Sequence, residues 1–89
     1  MNRDDDIAAF ELYLQRRFPG RRTAIDYVSD LRQFARGCDR AWREVNMHDI
    51  DGFVDAQRQA GRSPATVKRR VAALKTFFDF MAEETGDWA

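Results

Sequence analysis

Residues 62–75 read Arg62-Ser63-Pro64-Ala65-Thr66-Val67-Lys68-Arg69-Arg70-Val71-Ala72-Ala73-Leu74-Lys75. The segment carries its own helix start. Ser63 suits the N-cap, and Pro64 stands at the first helical position, where its missing N–H costs nothing. Val67, Val71, Leu74, Phe78 and Met81 then recur at helical spacing and predict one buried face. Phe77 and Arg70 flank that face, and Arg70 can lie along it by its aliphatic stem. Lys68 and Lys75 fall about 90° away and Arg69 nearly opposite, which predicts outward-facing cations. Arg62, Lys68, Arg69, Arg70 and Lys75 stand here with no carboxylate among them, in a chain that balances 15 basic against 15 acidic residues. Such a local concentration of charge on a capped helix points to contact with a polyanion, nucleic acid foremost.

The preceding sequence is also written in helices. Asp4, Asp5 and Asp6 suit the positive end of a first helix, followed by Ile7, Phe10 and Leu14 at helical spacing, with Phe18 one turn on. Pro19-Gly20 ends it, because the residue before a proline avoids helical geometry. Thr23 is the expected N-cap of a second helix, whose stripe is Ala24, Tyr27, Val28, Leu31, Phe34 and Ala35, with Gly37 as its stop. Asp39 to Val45 reads as a connector whose Trp42 and Val45 plug the core. Asn46, with Asp49 three residues on, resembles a capping box for a third helix. That helix carries Ile50, Phe53 and Val54, and Gly61 ends it. Phe80 falls off the last stripe and is expected to pack under the first helix. No alternation of period two and no internal repeat occurs. The predicted fold is all-α: four helices in two helical hairpins packed across each other.

Length and composition set the bounds. Eighty-nine residues with 44% hydrophobic and 12% aromatic content make one small domain with a single core. No apolar run approaches the ~20 residues of a membrane span. The polar, acidic start of the chain is unlike a secretory signal, which leads us to expect a cytoplasmic protein. Cys38 is the single cysteine, so neither an internal disulfide nor a thiolate metal site is expected. All the cations except Lys68 and Lys75 are arginine. Arginine suits bidentate phosphate and guanine contacts, although genomic composition bias produces the same excess.

Catalytic patterns are lacking. His48 is the one histidine and reads as a surface residue. No HExxH, GxSxG or P-loop spacing occurs. Asp4 to Asp6 read as a solvated helix start, and Asp49, Asp51 and Asp55 do not have calcium-loop spacing. Tyr13 and Tyr27 lie on or beside core stripes. No cofactor and no metal is expected. The informative features are two helix starts: Gly20-Arg21-Arg22-Thr23, and Arg62-Ser63-Pro64-Ala65-Thr66 followed by Lys68-Arg69-Arg70. Free N–H groups and a positive dipole end favour phosphate at such places, and the hydroxyls and guanidinium groups add donors.

The ordered set Thr23-x-x-x-Tyr27-x-x-Asp30-Leu31-x-x-Phe34, Asp49-Ile50-x-x-Phe53, and Gly61-x-Ser63-Pro64-Ala65-Thr66-x-x-Arg69-Arg70-x-x-Ala73-Leu74-Lys75-x-Phe77-Phe78-x-Phe80 resembles the N-terminal core-binding domain of tyrosine recombinases. These are the phage integrases and the Xer-like and Cre-like site-specific recombinases. The likeness runs from about Phe10 to Met81. It implies a SAM-like four-helix fold whose second and fourth helices face double-stranded DNA, with a separate catalytic domain on the opposite side. Carried over by position, Arg22 and Thr23 from the second helix and Ser63, Thr66, Lys68, Arg69, Arg70 and Lys75 from the fourth become the candidate DNA contacts. Replacing Arg69 and Arg70 together is then expected to abolish DNA contact and spare the fold. Gly20 departs from the pattern, since the family often has serine there.

The family's catalytic arginines, lysine, histidines and nucleophilic tyrosine belong to the catalytic domain. None of them is matched here, so residues 1–89 are expected to form one core-binding domain, ordered over about residues 5–83, that is inert alone and excised from a longer recombinase. Its partners by resemblance are DNA, the catalytic domain and other recombinase subunits. The alternative is a helical protein-interaction or oligomerisation module without direct DNA contact, which exposed apolar residues such as Phe80, Ile25 and Trp88 would serve.

Overall fold

The computed structural model of the chain describes residues 3–85. It is all-α, with α1 (Arg3–Arg17), α2 (Thr23–Gly37), α3 (Met47–Gln59) and α4 (Pro64–Thr85), and a 3₁₀ turn at Trp42–Glu44 between α2 and α3. Helix α2 packs along α4, α1 lies against α2, and α3 lies against α4. The two hairpins therefore cross through α2 and α4, as the sequence pattern predicts.

Local chemistry sets most of the helix ends. At α3, the Asn46 side chain accepts from the Asp49 backbone N–H at 3.1 Å, and the Asp49 carboxylate accepts from the Asn46 N–H at 3.0 Å. This reciprocal box satisfies two N–H groups that the first turn would otherwise leave open. The far end of α3 closes on Gly61, whose φ of +79° is the left-handed geometry that glycine adopts without strain. The Arg62 N–H reaches Gln57 O at 3.1 Å and the Gly61 N–H reaches Arg58 O at 3.0 Å, a Schellman closure. Ser63 then starts α4 by accepting from the Thr66 N–H at 3.2 Å.

The start of α2 differs from expectation. Thr23 is the first helical residue rather than its cap. Arg22 takes the N-cap position with helical angles (φ −72°, ψ −11°) and no side-chain cap bond. The reason is that the chain has already begun to coil: Arg22 O accepts from the Asp26 N–H at 3.0 Å, while the Arg22 side chain holds the Asp26 carboxylate at 3.2 Å.

An aromatic cluster builds the core between α1 and the C-terminal half of α4. Phe10 meets Phe77 edge-on at 5.2 Å and Phe80 at 5.5 Å, and Tyr13 meets Phe80 at 4.8 Å. Phe80 is thus buried under α1, as its position off the stripe predicts. Trp42 plugs the core from its 3₁₀ turn, 4.8 Å from Phe77, and the Arg3 guanidinium lies 4.5 Å from the indole centroid. Such edge-to-face pairs add to the area that each ring removes from water.

Two apolar positions leave the expected core. Phe18, beyond the end of α1, is exposed, and so is Val71. The buried arc of α4 runs through Val67, Ala73, Leu74, Phe77, Phe80 and Met81. It is rotated away from Val71 because α2 and α1 cover α4 on the Ala73–Phe77 side. On the other side α3 covers it thinly, and no residue of α3 is fully buried. Ile25 is exposed as expected, whereas Trp88 lies outside the described residues.

Candidate nucleic-acid interface

The N-terminal halves of α2 and α4 lie side by side, and a buried carboxylate joins them. Asp30, on α2, is 1% exposed. Arg69, on α4, donates to it from Nε at 2.9 Å and from Nη2 at 2.8 Å. This is the side-on bidentate fork that arginine makes with a carboxylate. Arg70 approaches the same carboxylate with Nε 3.3 Å from Oδ1, and its Nη1 donates to Gln57 Oε1 on α3. One carboxylate thus ties α2 to α4, and through Arg70 to α3.

This arrangement corrects two expectations. Arg69 does not point away from the helical core as an unattached cation. Its stem crosses to α2, and the hydrogen bonds to Asp30 raise its pKa further above the ordinary arginine value. Arg70 does pack by its stem, yet its charged end is buried as well, with only 13% of the side chain exposed. Removing both arginines would leave the Asp30 carboxylate in the interior without its partners, so a loss of stability is expected where the sequence reading expects the fold to be spared. A buried charge without its partner is among the most costly defects a small domain can carry.

Arg69 keeps an outward edge. Its side chain is 43% exposed, and Nη1 makes no bond among the described residues. The inner edge of the guanidinium is anchored and the outer edge can receive a phosphate oxygen. Asp26 and Tyr27 of α2 lie close enough to Arg69 to add to its raised pKa, and Asp26 is itself paired with Arg22. A line of alternating charge, Arg22–Asp26–Arg69–Asp30, therefore crosses from one helix start to the other. At its outer end, the Arg22 side chain is 80% exposed.

The remaining candidates divide by position. Ser63 and Thr66 hold each other, with Ser63 Oγ donating to Thr66 Oγ1 at 3.0 Å, so these hydroxyls form one unit at the mouth of α4. Thr23 is half-buried one residue inside α2. Lys68 is exposed on the first turns of α4. Lys75 lies two turns further along and turns toward α3, where it lines a hollow with Ile50 and Phe78. Sequence reasoning missed Asp30, although a signal for it existed. An acid on the apolar face of α2, within about 40° of Phe34 on a helical wheel, calls for a cation on the apolar face of its neighbour. Arg70 occupies that place.

Chemistry elsewhere is sparse. Cys38 and His48 line one hollow between the end of α2 and the start of α3, with the Arg40–Asp49 ion pair (3.1 Å) beside them. Among the described residues no cluster of three or more His, Cys, Asp or Glu is placed to hold a metal ion. None of the described helices is long and apolar enough to cross a membrane.

The sequence matches the family described as phage integrase, N-terminal SAM-like domain, over residues 7–85. That match covers most of the chain, which therefore belongs to this family, the N-terminal domain of the tyrosine recombinases and phage integrases. Among its relatives is the tyrosine recombinase XerC of Roseiflexus sp. (strain RS-1), 37% identical over 86 residues, which cover 88% of this chain and 26% of the relative. The tyrosine recombinase XerC of Roseiflexus castenholzii (strain DSM 13941 / HLO8) is 36% identical over 63 residues, 66% of this chain and 20% of the relative. The chain thus spans about a quarter or less of the length of these relatives. No solved structure matches significantly.

Proposed function

We propose that the chain is the DNA-gripping module of a tyrosine site-specific recombinase, holding double-stranded core-site DNA across the paired starts of α2 and α4. The observation that carries this reading is Arg69: an exposed guanidinium whose inner edge is fixed to a buried carboxylate at the junction of the two helices. A cation pinned this way loses less conformational freedom on meeting a phosphate than a mobile surface lysine does. Around it stand Arg22, Thr23, the Ser63–Thr66 unit and Lys68, the contacts we assign to the DNA. Arg70 serves the interior, and Lys75 belongs to the neighbouring α3–α4 surface.

In this reading residues 1–89 position DNA and do not cleave it. Strand cleavage and rejoining through a phosphotyrosyl intermediate belong to a catalytic domain elsewhere in the recombinase. Tyr13 and Tyr27, the two tyrosines of the chain, are half-buried and pack against the core.

Titration of the 89-residue chain with duplex DNA at several salt concentrations tests the proposal. Binding is expected near the non-specific range, Kd ~10⁻⁴ to 10⁻⁶ M. With three or four phosphate contacts, log K against log salt should fall with a slope of about −3. Lys68→Ala, at an exposed position, should reduce that slope by about 1 without moving the melting temperature. A response independent of salt would overturn the electrostatic grip.

A further inference from the structure

Two arginines reach the single carboxylate of Asp30, and they are held differently. Arg69 lays its fork side-on against both oxygens, with Nε 2.9 Å from Oδ2 and Nη2 2.8 Å from Oδ1. Arg70 brings Nε to 3.3 Å from Oδ1, yet that buried Nε–H makes no hydrogen bond among the described residues. Direction more than distance is what fails there. The two side chains are neighbours on α4 and carry the same group, so their own chemistry does not decide which of them takes the carboxylate.

Gln57 supplies the difference. Its Oε1 accepts from Arg70 Nη1 and draws the far end of that guanidinium toward α3. A guanidinium is rigid and planar, so holding Nη1 on Gln57 also sets the direction of Nε, which misses Oδ1. Gln57 is itself well placed for this. It is half-buried, and its backbone oxygen accepts from the Arg62 N–H at 3.1 Å in the closure at Gly61. Its neutrality matters too. Two arginines against one carboxylate leave a positive charge in excess, and an amide does not cancel it. That excess stays with Arg69, whose side chain is 43% exposed.

We infer that Gln57 is a positioning residue for the DNA grip: by holding the end of Arg70 against α3 it reserves the Asp30 carboxylate for Arg69, and so aims the outer edge of Arg69 at phosphate. The phosphate contact rests on the DNA reading above, and the reservation of the carboxylate does not. Gln57 acts through Arg70 and Asp30 and touches no DNA itself. The placing of α3 is thereby coupled to the aim of a side chain on the far side of α4.

Arginine Nε–H signals of the isotopically labelled 89-residue chain test the geometry without DNA, each assigned by through-bond correlation to its backbone amide. In the natural chain the Arg69 Nε–H proton should lie downfield and exchange slowly with water, as a charge-assisted hydrogen bond requires. The Arg70 Nε–H should lack the downfield shift. In Gln57→Leu, Arg70 leaves α3 and turns its fork onto Asp30. The downfield shift should pass from Arg69 to Arg70, and exchange of the Arg69 Nε–H should rise by about tenfold or more. Gln57→Glu keeps an oxygen acceptor in place and should keep the natural pattern. A glutamine with a merely structural role would lower the melting temperature and leave the Arg69 signal where it is. Gln57→Leu does not change the net charge, so duplex DNA titration of that variant reads the aim of Arg69. Affinity should fall by about threefold to tenfold, the cost of ordering one freed long side chain.

An Arg69 signal unmoved in Gln57→Leu, a downfield Arg70 Nε–H in the natural chain, or a Gln57→Glu spectrum like that of Gln57→Leu would overturn the inference. An Arg69 signal that moves in Gln57→Leu with no change in DNA affinity would instead remove Arg69 from the DNA contact, and the role in the grip with it. The natural chain and Gln57→Glu decide the geometry even if Gln57→Leu does not fold.

Discussion

Asp30 has 1% of its surface exposed and faces two guanidinium groups. Bringing a carboxylate and an arginine into the interior removes both from water, and their attraction roughly offsets that cost. The pair therefore adds little net stability over an apolar replacement, and what it supplies is geometry. It fixes where α4 sits along α2 and which way Arg69 faces. Breaking it on one side should be expensive. Asp30→Ala is expected to cost about 3–5 kcal/mol in urea unfolding followed by circular dichroism, since Arg70 is left buried without its carboxylate. A loss below about 0.5 kcal/mol, the size of an ordinary surface change, would show that the charge is not held as described. Asp30→Leu combined with Arg70→Met should recover most of the stability and still bind DNA less well, because Arg69 loses its anchor. Unfolding and DNA titration of the same double variant separate the two roles.

At the scale of helices, the ends are the most local features and were the most legible in the sequence. Asn46 with Asp49, Ser63 with Pro64, and Gly61 each act within a few residues, so the one-dimensional pattern contains the whole interaction. Gly61→Ala should destabilise by about 1 kcal/mol in thermal unfolding, through backbone strain alone. A Cβ there would meet nothing within 4 Å, while φ is +79°. Asn46→Ala should cost a similar ~1 kcal/mol by opening the capping box. An unchanged melting temperature for either variant would contradict the closure assigned to that end. The features that were not legible depend on how helices meet. Thr23 fits an N-cap by residue type, but Arg22 is already helical. Val71 fits the apolar period of α4, yet the crossing with α2 and α1 rotates the buried arc past it. Arg69 and Asp30 are separated by 39 residues, and their pairing needs the interhelical geometry that periodicity does not contain. Half of the candidate site, the basic helix starts, was thus readable. The carboxylate that organises it was not.

For the molecule as a whole, a net charge of zero is low for a DNA clamp. The arrangement removes the difficulty. Asp26 and Asp30, the acids nearest the proposed DNA face, are already paired with Arg22 and with Arg69 and Arg70. Their charge is compensated within the fold, and the outer edges of Arg22 and Arg69 remain for phosphate. The acidic first turn of α1, Asp4 to Asp6, lies by the far end of α2, where the neighbouring Arg3 donates to Ala35 O at 3.0 Å. The most direct test of this account is amide-shift mapping of the isotopically labelled chain with duplex DNA at low salt. The predicted result is a cluster of shifts at Arg22, Thr23, Thr66, Lys68 and Arg69, with α1 and the α3 side of the Ile50–Phe78 hollow unmoved. Shifts centred on α1 or α3, or none at all, would contradict the claim that DNA is held across the starts of α2 and α4.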